Sequence, residues 1–243
     1  MMMRYLTQIY VVIGVLSLCI SNILSAQTVD RSRSTGEAPS EVEQIQVEKI
    51  SDSVFKLGLI TIDKANESIS IPAKVNQREG LIELLLCTEW GRTHESAFTT
   101  NVYPVYLQTA MLVLGFKYGA PVAFAGESKT PTGDPVEIYV TWRDGSEKAR
   151  IEDFAYDQPK KSSMEHVSWV YTGSQFVNGV FYSQEEGSII TTYHDPNTMF
   201  DNPLPEGADD TVYYINADLM KNVPEFVTII FAKPRQVTEG GDL

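Results

Sequence analysis

The sequence predicts an α+β domain, predominantly antiparallel β-sheet with one short helix packed on it. Two runs of strict alternation point to half-buried strands. In the first, Ile69, Ile71, Ala73 and Val75 alternate with Ser68, Ser70, Pro72 and Lys74; in the second, Val136, Ile138, Val140 and Trp142 alternate with Glu137, Tyr139, Thr141 and Arg143. A period of two gathers the apolar residues on one face and leaves the other to water. The segment from Tyr103 to Gly115 departs from this pattern and spaces Leu107, Ala110, Met111 and Leu114 as a helix does.

The remaining elements follow from the same signals. Asp144-Gly145 directly after the second run predicts a hairpin, with Ala149 and Ile151 resuming the alternation. Further strands are expected from Val54 to Ile62, Leu81 to Cys87, Thr93 to Thr99 and Val167 to Tyr171, then from Val180 to Gln184, Ser188 to His194, Thr211 to Ile215 and Phe226 to Ala232. Glu186-Gly187 reads as the turn of another hairpin. In the helical segment Pro104 suits the first helical position and Gly115 the position just past the end. Its leucine and methionine stripe reads as core packing rather than a ligand groove. No internal repeat recurs at a fixed period.

The chain has 243 residues, 43% of them hydrophobic, enough to bury a sizeable core. Arg4 precedes an apolar stretch from Ile9 to Leu18, and Leu24-Ser25-Ala26 supplies a small residue at a cut site. That order is a secretory signal peptide over residues 1–26, cleaved after Ala26, because Ser17, Ser21 and Asn22 interrupt what a membrane span would need. Leu18 before Cys19 is too large for a lipoprotein cleavage signal. Residues 27–45 read as a flexible linker, 46–235 as a single β-rich domain and 236–243 as a frayed tail. The predicted address is outside the cytoplasm, periplasmic or secreted, with no integral membrane span after cleavage.

Loss of a leader with one arginine and no acidic residue moves the formal charge from −13 to −14. Such a balance argues against a nucleic-acid partner, whose phosphates call for a basic face, and against anionic lipid heads. Cys87 would be the only thiol left, so no internal disulfide forms, and its place in Leu84-Leu85-Leu86-Cys87 predicts a buried, inert side chain.

Candidate chemistry is sparse. His94, His166 and His194 lie on three separate predicted strands or strand ends, which gives no metal-ligand spacing, and no cofactor is expected. Thr93-His94-Glu95-Ser96 offers a serine–histidine couple on one face if the stretch is a strand, with Glu95 pointing away. The structural alternative has His94 and Ser96 making hydrogen bonds in or beside the core. The oxygen-rich run from Tyr193 to Pro203 lacks the pattern of a calcium loop, and its Asp, Asn and Pro residues equally serve turns.

Several stretches resemble the YdjY-domain family. They are Ile82-Glu83-Leu84-Leu85-Leu86-Cys87, Gly91, Thr93-His94-Glu95-Ser96, Leu112-Val113-Leu114-Gly115, Trp169-Val170-Tyr171-Thr172-Gly173-Ser174, Glu186-Gly187-Ser188-Ile189-Ile190, Asp201-Asn202-Pro203 and Lys233-Pro234-Arg235. The likeness spans about Ile50 to Arg235. It implies an exported bacterial protein and a signature containing His94, Glu95, Ser96, Trp169, Gly173 and Ser174; it brings no activity with it. From the residues themselves, Gly173 and Gly187 read as turn positions and Trp169 as core.

The leading expectation is a non-enzymatic binding or accessory module whose partner is an envelope protein, a glycan or a peptide. Tyr139, Tyr182, Tyr193, Tyr213 and Tyr214 would furnish an aromatic face if they cluster. The rival is a metal-assisted or Ser/His hydrolase centred on His94, Glu95 and Ser96, which needs a second acid or histidine converging on His94.

Overall fold

In the computed structural model, which describes residues 45–234, the alternating runs become long strands that curl around their own apolar faces. The expected signal peptide, Cys19, all of the expected linker except its last residue and the tail lie outside the described residues. The strands are β1 (Ser68–Val75), β2 (Leu84–Thr88), β3 (Ser96–Thr100), β4 (Thr132–Trp142), β5 (Trp169–Tyr171), β6 (Ser188–Thr191), β7 (Phe200–Asp201) and β8 (Phe226–Ala232). They pair in the order β1-β8-β4-β5-β7-β6-β2-β3, and β3 returns to β1, so the sheet is a closed eight-stranded barrel. The expected sheet with a helix laid on it is thus corrected: closure removes the open edges that a flat sheet would leave.

Register explains why the barrel closes on an apolar interior. Ile229 stands between Ile71 and Val140, and Phe231 between Ile69 and Ile138. On the other side Tyr171 faces Phe200, Phe200 faces Ile190, Ile190 faces Leu86, Leu86 faces Phe98 and Phe98 faces Val75. An eight-stranded barrel has an interior just wide enough for side chains to fill. Here Phe200 fills it, stacking on Tyr171 at 5.3 Å and on Phe231 at 4.7 Å, while Phe154 meets Phe98 edge-on at 5.1 Å.

A meander of Val47–Lys49, Val54–Leu57 and Ile60–Asp63 extends the sheet from β1. The edge of β1 is therefore shared: its first half pairs with Ile60–Asp63 and its end with β3. Pro72, with no N–H to offer, falls between the two partners, and its carbonyl accepts from Thr100 Oγ1 at 2.7 Å. The helix α1 (Pro104–Val113) opens on Pro104 as expected and buries Tyr106, Leu107, Gln108, Ala110 and Met111.

Three expected elements differ. The strand from Val54 to Ile62 is a hairpin that turns at Gly58-Leu59. From Val180, only two residues are extended before a short helix α2 (Tyr182–Glu186), which Gly187 ends in the left-handed conformation at φ 71°; Glu186-Gly187 is thus a helix end rather than a hairpin turn. Thr93–Glu95 is a 3-10 turn, and β3 starts only at Ser96. The reason for the last lies in topology. β2 and β3 are parallel, so the seven residues between them must carry the chain back along a strand of about 17 Å. Seven residues reach at most ~25 Å, which leaves this connection little slack.

Candidate functional site

The connection between β2 and β3 is built on one arginine. Gly91 lets the loop press its backbone onto that of Gly187, where an added Cβ would stand 3.1 Å from the carbonyls of Glu186 and Gly187. This contact sets Arg92 beside the start of β6. Its Nη1 donates to Glu83 Oε2 at 2.7 Å and to Glu95 Oε1 at 2.8 Å, and its Nη2 donates to Asp195 Oδ2 at 2.6 Å. The same Asp195 oxygen accepts from Ser188 Oγ at 3.0 Å, and Asp195 Oδ1 accepts from Asn197 N at 2.8 Å.

Arg92 and Asp195 are largely buried, with side chains 14% and 7% exposed. Burial works against the guanidinium charge, but the carboxylates of Asp195, Glu95 and Glu83 outweigh it and hold Arg92 above its ordinary value. Three carboxylates around one cation leave an excess of negative charge. Glu83 carries the consequence: its own burial and the charge of Glu95 raise its carboxyl, against the pull of Arg92. Beneath the node, burial pushes the Asp201 carboxyl well above the ordinary 3.8; the charge of Asp195 adds to this, against bonds from Asn202 N and Thr191 Oγ1.

A raised carboxyl contributes stability that is full below its unfolded value and lost as the pH rises through its folded value. Asp201→Asn keeps the acceptor for Asn202 N and removes the titration. Urea unfolding at several pH values from about 4 to 8 should show the wild type losing stability relative to Asp201→Asn as the pH rises. A constant difference between the two proteins would contradict the assignment.

The sequence candidates fall into two groups. His94 stands on the 3-10 turn with its side chain 58% exposed, its Nε2 3.5 Å from Glu95 Oε2. Glu95 gives its other oxygen to Arg92. Ser96 is fully buried, and its hydroxyl donates to Phe98 O at 2.9 Å within its own strand. His94 and Ser96 therefore do not share a strand face, because the alternation begins only after Glu95. The other histidines serve elsewhere: His166 Nε2 is 2.7 Å from Asp153 Oδ1, and His194 is buried between backbone carbonyls.

The second group surrounds the end of β5. Trp169 fills the barrel and donates its indole N–H to Glu152 Oε1 at 3.1 Å. Gly173 has φ 73°, and a Cβ there would stand 2.5 Å from Tyr118 Cβ, so a side chain is excluded twice over. Ser174 Oγ donates to Asn197 O at 2.7 Å and accepts from Ser183 N at 3.0 Å. The two groups thus meet at one place: Arg92 and Ser188 hold Asp195, Asp195 holds Asn197, and Ser174 holds the same residue from the far side.

A family model for the YdjY domain matches residues 60–232. The chain belongs to the YdjY-domain family. No curated protein and no solved structure matches it. Of the six candidate residues, Ser174 bonds Asn197 O directly and Glu95 reaches Asp195 through Arg92, a proximity invisible in their sequence spacing. Arg92, the residue at the centre, is not among the sequence candidates; its signal is a lone arginine flanked by Glu83, Glu89 and Glu95.

Where β1 and β3 close the barrel, a shallow polar groove of about 260 Å³ opens beside the 3-10 turn, lined by Lys74, Val75, Asn76, Glu89, Thr93 and Thr99. Asn76 Nδ2 fixes the turn by donating to Thr93 O at 2.6 Å and Ser96 O at 2.8 Å. The five tyrosines do not present one face: Tyr213 is buried, and Tyr139 lies under the Lys148 ammonium, 3.7 Å from its ring centre. Cys87 is fully buried, and burial pushes its thiol up to about 12, as expected of an inert side chain. Among the described residues no group of three His, Cys, Asp or Glu side chains is placed to hold a metal ion, and no helix is long and apolar enough to cross a membrane.

Proposed function

We propose that this YdjY domain is a binding or accessory module that acts outside the cytoplasm and carries out no chemical step of its own. Its partner would be an envelope protein, a glycan or a peptide. One observation carries the reading: two of the three candidate catalytic groups are engaged by the fold. Glu95 is held by Arg92, and the Ser96 hydroxyl is buried on a carbonyl of its own strand. The groove at the β1–β3 seam supplies what a binding site needs, hydrogen-bonding groups on a rigid support. Lys74 stands at its rim with only a surface pair to Glu225 at 3.4 Å.

The test has a chemical and a binding arm. A serine-directed fluorophosphonate should leave Ser96 unlabelled, and His94→Ala should change stability by no more than about 0.5 kcal/mol, as an exposed side chain predicts. On arrays of envelope glycans and peptides, binding by the wild type should be lost in Lys74→Glu, whose fold loses only an exposed ion pair. Labelling of Ser96, or turnover of an ester or glycoside that His94→Ala abolishes, would overturn the proposal in favour of a hydrolase.

A further inference from the structure

His194 is 1% exposed and follows Tyr193 on the segment that leads to the Asp195 turn. Its Nδ1 lies 2.6 Å from Glu127 O and its Nε2 lies 3.0 Å from Asn202 O. Both partners are backbone carbonyls, which only accept. A neutral imidazole has one N–H to give, and the imidazolium has two. Both contacts are hydrogen bonds only when both nitrogens carry protons. With one proton, two lone pairs face each other in a place from which water is excluded.

The two sides of this bridge are not equally secured. Asn202 is fixed independently: its Nδ2 donates to Thr192 O at 2.9 Å, its N–H to Asp201 Oδ1 at 2.8 Å, and its Oδ1 accepts from Leu204 N at 2.9 Å. Gly207 backs the ring so closely that a Cβ there would stand 2.3 Å from Nε2. Glu127 instead belongs to the loop of residues 121–131, and its carboxylate turns back to Ala123 N of the same loop at 2.6 Å. Besides the Glu127 contact, the loop has a bond from Gly126 N to His194 O at 2.9 Å, and it carries Phe124, 62% exposed.

We propose that His194 is a proton-operated clasp: doubly protonated, it ties the 121–131 loop to the barrel, and singly protonated, it releases the loop while keeping its bond to Asn202. The charged groups around it are engaged elsewhere. Glu127 is bonded to Ala123 N, Asp195 is paired with Arg92, Asp201 is bonded to Thr191 and Asn202, and Glu206 on the adjoining turn is paired with Lys160 at 2.6 Å. The phenol of Tyr193 lies against Gly126 of the same loop. One of the contacts that hold the loop therefore depends on the protonation of one ring, beside the Gly126–His194 backbone bond and the buried Val122. The loop thus closes more firmly as the pH falls, and the position of an exposed phenylalanine responds to the acidity of the surroundings.

Amide hydrogen exchange across residues 121–131, corrected for the intrinsic pH dependence of exchange, tests this on the full chain between about pH 5 and pH 8, where an imidazole gains its second proton. The wild type should show protection at Gly126 and its neighbours several-fold higher at the acid end, with a midpoint matching the His194 ring titration followed by nitrogen NMR. His194→Gln, whose donors sit on a single nitrogen whatever the pH, should show low and constant protection. A loop whose protection does not change with pH, or changes equally in His194→Gln, overturns the clasp. If the variant fails to fold, the wild-type ring decides: two hydrogen-bonded N–H protons at acid pH, with loss of the Nδ1 proton accompanying loop release, support it, and ring titration without any change in the loop overturns it.

Discussion

Replacing Arg92 with alanine should cost about 3–5 kcal/mol, the scale on which removing one member of a buried ion pair acts. The loss is large because the guanidinium serves three carboxylates at once in a largely buried place. Asp195 would keep only Ser188 Oγ and Asn197 N, and the connection from β2 to β3 would lose its anchor while still required to span the strand length with little slack. Lysine restores the charge but not the fork that reaches Glu83, Glu95 and Asp195 together, so Arg92→Lys should recover only part of the loss. Unfolding in urea measures both. The penalty of Arg92→Ala should shrink as acid neutralises the three carboxylates, and a change below about 1 kcal/mol at neutral pH would mean the node is no more than a surface pair.

Glu152→Ala should cost about 3–4 kcal/mol, through unsatisfied donors rather than lost packing. Glu152 is fully buried and accepts from Trp169 Nε1 at 3.1 Å, Val167 N at 3.2 Å and Arg150 Nη2 at 2.7 Å on one oxygen, with Arg150 Nε at 3.2 Å on the other. Removing it takes the acceptor from four N–H groups, of which those of Trp169 and Val167 are left stranded while Arg150 keeps Val167 O and, at 3.5 Å, Glu137. Trp169→Phe removes a single donor and keeps most of the ring, so it should cost about 1–2 kcal/mol. Equal effects from the two substitutions, read from urea unfolding, would mean that Trp169 acts by its volume and that the polar network beneath it is incidental.

Much of the fold was legible because period-two alternation survives wherever one strand face meets the interior. Phe226–Ala232 and the hairpin after Trp142 appear where the sequence puts them. The barrel itself was not legible. β2, β3, β5 and β6 are buried on both faces, so Leu84-Leu85-Leu86-Cys87 and Ser188-Ile189-Ile190-Thr191 show no alternation from which register or neighbour could be inferred. The parallel pairing of β2 with β3 is a long-range fact, and it is what makes Thr93–Glu95 a turn rather than a strand. The candidate site was legible in its signature and illegible in its purpose. Gly173 was readable from chemistry alone, since only glycine suits φ 73° under Tyr118. Ser174 and Arg92 were not, because they meet through Asp195 and Asn197, about a hundred residues beyond Arg92 in the chain.

On the proposed function, the Thr-His-Glu-Ser element of this YdjY domain braces a binding scaffold and takes part in no chemical step. Zinc content and metal-dependent melting of the chain, measured beside His94→Ala, test this. The expected result is no stoichiometric metal, no rise in melting temperature with added zinc, and melting curves for the two proteins that nearly superimpose. One zinc per chain, or a metal-induced rise that His94→Ala abolishes, would contradict it and make His94 a ligand.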